Sequence, residues 1–146
     1  MIPIYNSNQQ LIAYAGFHPE ERSYIYPPKF RKELELYNLA GARAALDDSQ
    51  DLLVVRHPLE VLMLVSAGYL NAVATLGESI SKEQVETLIN HYGAGEKLTL
   101  FWPTQTDIVP PLVELFPDFF VRLRRYECRE YTPTGFTADD VRELLS

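Results

Sequence analysis

The sequence predicts an α/β domain: a mainly parallel four-stranded sheet flanked by helices, with a β-hairpin extension at its N-terminus. Three observations predict it. From residue 52 to residue 126, short apolar runs alternate with stretches at helical spacing, in the order βαβαβαβ. The first run, residues 52–56 (LLVVR), is apolar without alternation until its last residue, as a strand covered on both faces is. Helix start and stop signals punctuate the intervals: Pro58, Gly68, Ser81 with Gln84, and the Gly93-Ala94-Gly95 turn.

Taken in order, residues 2–5 and 11–17 are apolar runs separated by Asn6-Ser7-Asn8-Gln9-Gln10, and Asn and Ser favour a turn. They form the expected hairpin. Residues 24–30 hold Pro27 and Pro28, so an extended segment or loop is expected. Residues 31–46 place Leu34, Leu36, Tyr37, Leu39, Ala42 and Leu46 at helical spacing among good helix formers, which predicts one helix broken by Asp47-Asp48-Ser49. After the strand at 52–56, Pro58 suits the first turn of a helix through residues 59–67, and Gly68 suits its end. Residues 71–75 are a second strand. Ser81 and Gln84 make a capping box for a helix to about His91. Residues 97–102 (KLTLFW) are a third strand, Pro110 and Pro111 open a short helix, and residues 119–126 (FFVRLRRY) are a fourth strand. Thr137 caps a last helix with Asp139 and Asp140 in its first turn.

The bulk numbers fit such a domain. The 146 residues are 47% hydrophobic, 12% aromatic and 23% charged, which is enough apolar matter for a core. Cys128 is the single cysteine; alone it makes neither a disulfide framework nor a zinc site, and it suits a reducing, cytoplasmic setting. The start, MIPIYNSNQQ, has neither the basic nor the apolar region of a signal peptide, and no apolar run reaches membrane-spanning length. A net charge of −7 opposes general nucleic-acid binding at long range while leaving room for a local basic patch. No repeat or low-complexity segment is present.

Residues 52–88 carry a resemblance. Ala67-Gly68, the run Asn71-Ala72-Val73-Ala74-Thr75-Leu76-Gly77, and Ser81-Lys82-Glu83-Gln84 follow one another as they do in the Toprim domain of bacterial, plasmid and phage-type DNA primases. Upstream, Tyr26-Pro27-Pro28-Lys29-Phe30-Arg31-Lys32 and Leu36-Tyr37-Asn38-Leu39 are similar to the segment that precedes that domain. The resemblance implies a Toprim-like Rossmannoid core over residues 51–146 and a primase-like extension over residues 1–50. It also implies what is missing. Active Toprim domains hold Mg²⁺ with a Glu after the first strand and an Asp-x-Asp after the third, because that ion takes hard carboxylate oxygens. Here Arg56-His57 stands at the first position, and Phe101-Trp102-Pro103-Thr104 at the second. Glu60 alone matches a further acidic position, and Asp107 comes a few residues late. The former metal-site positions Arg56, His57, Glu60, Trp102 and Thr104 therefore imply a degenerate site with no metal and no cofactor.

Each candidate has a plainer reading beside its functional one. Arg56, His57 and Glu60 fall at the C-terminal end of a parallel strand, where open α/β sheets bind ligands; they are a remodelled anion pocket or, as favoured, an internal ion pair in which Glu60 holds Arg56. Lys29, Arg31 and Lys32 are candidate nucleic-acid contacts or a solvated loop and helix start. Arg122, Arg124, Arg125 and Arg129 lie on an edge-like strand, where charge protects against aggregation. His18, His57 and His91 have no metal-ligand spacing, Trp102 packs at a strand end, and no Walker pattern follows Gly93.

The expected function is a catalytically degenerate primase-like module that binds single-stranded DNA or a replication partner, as in a mobile element or phage. The alternatives are an enzyme with a remodelled site around Arg56, His57, Glu60 and Asp107, and a structural interaction domain, dimeric in form.

Overall fold

The computed structural model describes residues 1–21, 23–47, 50–127 and 138–145. Seven strands and five α-helices make two sheets among these residues. In the larger sheet, β4 (Leu52–Val55), β5 (Ala72–Ala74), β6 (Lys97–Pro103) and β7 (Phe120–Tyr126) run parallel throughout, in the order β5-β4-β6-β7. The expected four-stranded parallel sheet flanked by helices is thus present.

Helices cover both faces, and the alternation of side chains along the strands sorts the core in two. On one face Leu52, Val54, Val73, Leu98, Leu100 and Trp102 pack with residues of α1 (Leu39–Ala45), α3 (Lys82–His91) and α4 (Val109–Leu115). On the other, Leu53, Val55, Ala72, Ala74, Phe101 and Tyr126 pack with α2 (Pro58–Ser66) and α5 (Ala138–Leu145). The chain leaves β4 in one direction to reach β5, and crosses back to β6 on the far side. That reversal falls at the C-terminal ends of β4 and β6, the place at which open α/β sheets set their ligands.

Local signals act as expected at several joints. Pro58 is the first residue of α2. Gly68 adopts φ +98° after α2, and the N–H groups of Gly68 and Tyr69 close on the Val65 and Leu64 carbonyls. Ser81 and Gln84 form a reciprocal capping box on α3. Thr137, Cys128 and Arg129, together with Asp48, Ser49 and Ser146, lie outside the described residues.

The N-terminal part adds one feature to the expectation and departs from it once. The hairpin of β1 (Ile2–Tyr5) and β2 (Leu11–His18) gains a third antiparallel strand, β3 (Ser23–Ile25), drawn from the segment expected to be loop or extended. The single helix expected over residues 31–46 is divided. A 3₁₀ turn covers Lys32–Leu34, Tyr37 pairs with Ala74 in an isolated antiparallel bridge, and Asn38 turns through φ +66° before α1 begins. The reason is tertiary. Tyr37 exchanges both backbone hydrogen bonds with Ala74, at 2.9 and 3.1 Å, which a helical residue could not do. Leu36, Leu39 and Ala42 are buried in the same cluster as the parallel sheet, so this segment docks edge-on to β5 and only then becomes helix.

Candidate functional site

The end of β4 carries a buried charged cluster. Val55 ends the strand, Arg56 and His57 follow at once, and Pro58 starts α2, so Glu60 comes round one turn later on the face toward Arg56. The Arg56 Nη2 lies 2.8 Å from Glu60 Oε1, and the Arg56 N–H donates to Glu60 Oε2 at 3.2 Å. Glu60 is 1% exposed. Its Oε1 contact with Arg56 is close yet outside hydrogen-bond geometry, so charge rather than an aligned bond holds that side of the pair.

Two residues that the sequence did not single out complete the cluster. Glu78, in the loop after β5, accepts two hydrogen bonds from Arg56 Nη1 at 3.1 Å and one from His57 Nε2 at 3.2 Å. Tyr24, on β3, stacks on the His57 ring with centroids 4.5 Å apart. A signal for Glu78 existed in the sequence: it follows the strand that pairs beside β4, so its loop opens at the same end of the sheet. Nothing local marked Tyr24, because the stack depends on where the N-terminal sheet docks.

The electrostatics follow from burial and pairing. Burial pushes the Glu60 carboxyl above the usual carboxylate range, against the opposing pull of Arg56. Burial also works against the charge of Arg56, and the carboxylate of Glu60, with Tyr126 and Glu78 behind it, outweighs that and raises the guanidinium pKa. The hydrogen bond from His57, reinforced by Arg56 against partial burial, holds Glu78 down at about 2. Burial, with Glu60 adding to it, raises Tyr24. Among the described residues, Arg56 Nε and His57 Nδ1 are buried without a hydrogen-bond partner. Among the described residues, no three His, Cys, Asp or Glu side chains gather into a group that could hold a metal ion.

The other expected positions are spread around this cluster. β6 runs beside β4 in register, so Trp102 lies level with the point where Arg56 begins; it is fully buried in the core face of α3 and α4. Thr104 is exposed, and its hydroxyl contacts the Gln105 side chain at 3.4 Å. Asp107 accepts from the Val109 N–H at 3.0 Å at the start of α4. Lys32 reaches furthest toward the cluster. Its Nζ sits 5.8 Å from the Tyr26 ring centroid and beside Gly77, the neighbour of Glu78. Arg31 pairs with Glu33 at 2.8 Å, and Lys29 is exposed. Phe17, Tyr24, Tyr26 and Phe30 form a row of rings with successive centroids 5.1, 6.5 and 5.5 Å apart; His57 stacks on Tyr24, and Lys32 lies over Tyr26. Arg122 and Arg124 lie on β7, the edge of the sheet, and line one cleft together, as their period-two spacing predicts. Arg125 instead donates to the carbonyls of Trp102, Pro103 and Thr106.

No protein-family model matches the chain. Curated relatives do. A DNA primase of Pseudomonas aeruginosa is 36% identical over 93 residues, 60% of this chain and 14% of that protein. A DNA primase of Synechococcus elongatus is 32% identical over 105 residues, 68% of this chain and 15% of its own. Among solved structures, a DNA primase domain from Pseudomonas aeruginosa superposes with a TM-score of 0.74 at 25% identity, over 98% of this chain and 49% of that one. A primase catalytic core superposes with a TM-score of 0.71 at 21% identity, which shows a shared fold. The chain spans 14–15% of the length of these curated relatives and about half of the solved domain. In sequence and in fold it is therefore related to one part of the DNA primases.

Proposed function

We propose that this chain is a Toprim-like, primase-related module that has given up metal-dependent nucleotidyl transfer and serves as a binding module for single-stranded DNA in a replication setting. The observation that carries the first half is the guanidinium of Arg56 seated between Glu60 and Glu78 at the end of β4. A divalent cation needs free carboxylate oxygens. Both carboxylates of this cluster are engaged by an arginine, so the residues present do not suit Mg²⁺, and the cation they already share neutralises them.

The second half rests on the ring ladder and its cations. Tyr24 and Tyr26 are partly exposed and stacked with an interplanar angle of 14°, the Lys32 ammonium lies 5.8 Å from the Tyr26 ring centroid, and Lys29 and Arg31 come just before Lys32 in the chain. Single strands bind proteins through aromatic stacking beside a cationic track. A related primase catalytic domain has been solved bound to single-stranded DNA, at 17% identity and a TM-score of 0.68. For a chain with net charge −7, such binding has to be local and strongly salt-dependent.

Two measurements test the reading. Calorimetric titration with Mg²⁺ and Mn²⁺ is expected to give no site-specific heat; clear stoichiometric binding would overturn the degenerate-site half. Fluorescence anisotropy with a labelled single-stranded oligonucleotide at low salt is expected to show binding. That binding should weaken about tenfold or more when Lys29, Arg31 and Lys32 are replaced together by Ser. No binding at low salt, or binding indifferent to these residues, removes the nucleic-acid half.

A further inference from the structure

A second region gathers binding chemistry away from the end of β4. The β1–β2 hairpin faces the start of α1, and two cavities of about 350 and 270 Å³ lie along the seam. Gln9, Leu39 and Ala40 line both, so the two form one groove, of the size that small ligands fill. Its first part is an apolar slot with amide edges. Pro3, Tyr5, Tyr37 and Leu39 supply the apolar surface, and Tyr5 is 50% exposed, so a flat ring can lie against it. Asn38 turns through φ +66°, and its Nδ2 donates to the Ala72 carbonyl at 3.0 Å. Among the described residues its Oδ1 has no hydrogen-bond partner. Gly41 leaves room for that oxygen, because a Cβ at residue 41 would collide with it. Gln9, the amide side chain that borders both cavities, belongs to a residue held at φ +63° in the hairpin turn. Two of the three left-handed non-glycine residues among the described ones therefore lie on this groove. Such positions collect at ligand clamps.

The second part ends in hydrogen-bond donors. Arg43 Nη1 lies 3.2 Å from His91 Nδ1. A guanidinium only donates, so His91 Nδ1 accepts and the imidazole N–H is on Nε2. That N–H and the other guanidinium donors of Arg43 suit an oxyanion. Among the described residues, no carboxylate lines either cavity. Asp47, the acidic residue next after Arg43 in the chain, stands beyond the end of α1. In a chain of net charge −7, the groove is thus a place where an anion meets a cation without a competing carboxylate on its walls.

From this geometry we infer that the hairpin–α1 groove binds a mononucleotide. The base lies against Tyr5 and Tyr37 with its polar edge on the Gln9 and Asn38 amides, and the phosphate lies on Arg43 and His91. A flat ring with a polar edge fits the first part, which a sugar phosphate alone would leave unfilled. The donor end accounts for the phosphate, which a nucleoside lacks. A free nucleotide and the phosphorylated end of a strand present the same chemistry. Lys29, Arg31 and Lys32 line neither cavity, so this site does not rest on their reading as strand contacts.

The test uses the full chain, isotope-labelled, with amide shifts followed by NMR. The probes are AMP and UMP, with adenosine and ribose phosphate as the separated halves. The expected result is saturable shifts at Gln9, Ala40 and His91 with a mononucleotide. Adenosine should bind about tenfold more weakly than AMP, as befits loss of hydrogen bonds to a charged group. Arg43→Ala should abolish that difference, and Tyr5→Ala should weaken AMP about fivefold or more, as loss of a base stack does. Both positions are exposed, and unchanged thermal melts show that the variants fold. Gly41→Ala, which displaces the Asn38 amide, should weaken AMP as well. Joint replacement of Lys29, Arg31 and Lys32 by Ser should leave AMP binding unchanged, whatever it does to a single strand. A short oligonucleotide with a phosphorylated end that displaces AMP assigns the bound unit to a strand end, and one that does not assigns it to a free nucleotide. Absence of saturable shifts at millimolar nucleotide overturns the inference. So does ribose phosphate binding as tightly as AMP, or binding indifferent to Tyr5→Ala and Arg43→Ala. Shifts confined to the end of β4, or loss of AMP binding in the Lys29, Arg31 and Lys32 variant, overturn it in favour of a site on the ring row.

Discussion

Two buried polar centres tie the N-terminal segment to the parallel sheet, and they are built in opposite ways. At the start of α3, Gln84 is 1% exposed and uses its whole amide. It accepts from the Ser81 N–H at 3.0 Å and donates toward the carbonyls of Lys32, Glu35 and Thr75 at 3.1, 2.7 and 2.7 Å. At the end of β4, Glu60 is as enclosed as Gln84 and Arg56 slightly less so, but the pair is ionic. Among the described residues Arg56 Nε and His57 Nδ1 have no hydrogen-bond partner, and the Glu60 Oε1 contact is out of line. A neutral amide with every atom satisfied is fully explained by structure. An ion pair with unsatisfied atoms is not, because desolvating two charges offsets much of their attraction. The difference separates a joint whose polar atoms are all accounted for by packing, at Gln84, from an ionic cluster at the end of β4 that packing alone does not explain.

The comparison can be broken by mutation. The largest effect is expected at the ionic centre. Glu60→Ala should destabilise by about 3–5 kcal/mol, because it strands a buried guanidinium, whereas Arg56→Met with Glu60→Leu should be close to neutral. Urea unfolding of the two variants checks this, and a double variant as unstable as the single would show that the pair earns its place by net attraction. The neutral centre should behave differently. Gln84→Met is expected to lose about 3 kcal/mol by leaving buried carbonyls unpaired, and no second side-chain substitution can restore it, since the partners are backbone. A loss well under 1 kcal/mol would mean that water takes over the amide's role.

The smallest effect is in pH. The Glu78 carboxyl sits at about 2 in the fold, below an unfolded value of about 4.3. Its stabilisation is thus complete above about pH 4.3 and is lost as pH falls toward 2. Glu60 has the opposite sign: its folded pKa is raised, so stability declines as pH rises from about 4.3 through the folded value. More than half of the Glu78 side chain is exposed, so solvent screening limits its share to about 0.5 kcal/mol. Denaturation midpoints measured across pH should therefore show a shallower acid limb in Glu78→Gln, and Glu60→Gln should remove a slope of reverse sign. Identical profiles in both variants would show that neither carboxylate titrates differently on folding.

Much of the site was legible. Arg56, His57 and Glu60 stood together in the sequence, and the helical turn from Pro58 makes the Arg56–Glu60 contact almost unavoidable. Glu78 was within reach of the same logic. Tyr24 was not, because its stack on His57 joins two sheets whose docking no local signal encodes. Trp102 and Thr104 were placed by strand register alone, and register puts one in the core and the other in solvent.

The sequence by itself determined the parallel sheet, its crossover helices and most of their ends. Those features rest on periodicity, on Pro58, on Gly68 and on the Ser81–Gln84 box, which act within a turn or two of the chain. Only the tertiary structure decided the course of residues 31–46. Their spacing favours a helix, yet the Ala74 backbone claims Tyr37 and the Gln84 side chain claims the Lys32 and Glu35 carbonyls. Hydrogen bonds to partners roughly 40–50 residues away in the chain outweigh a helix propensity of a few tenths of a kcal/mol per residue.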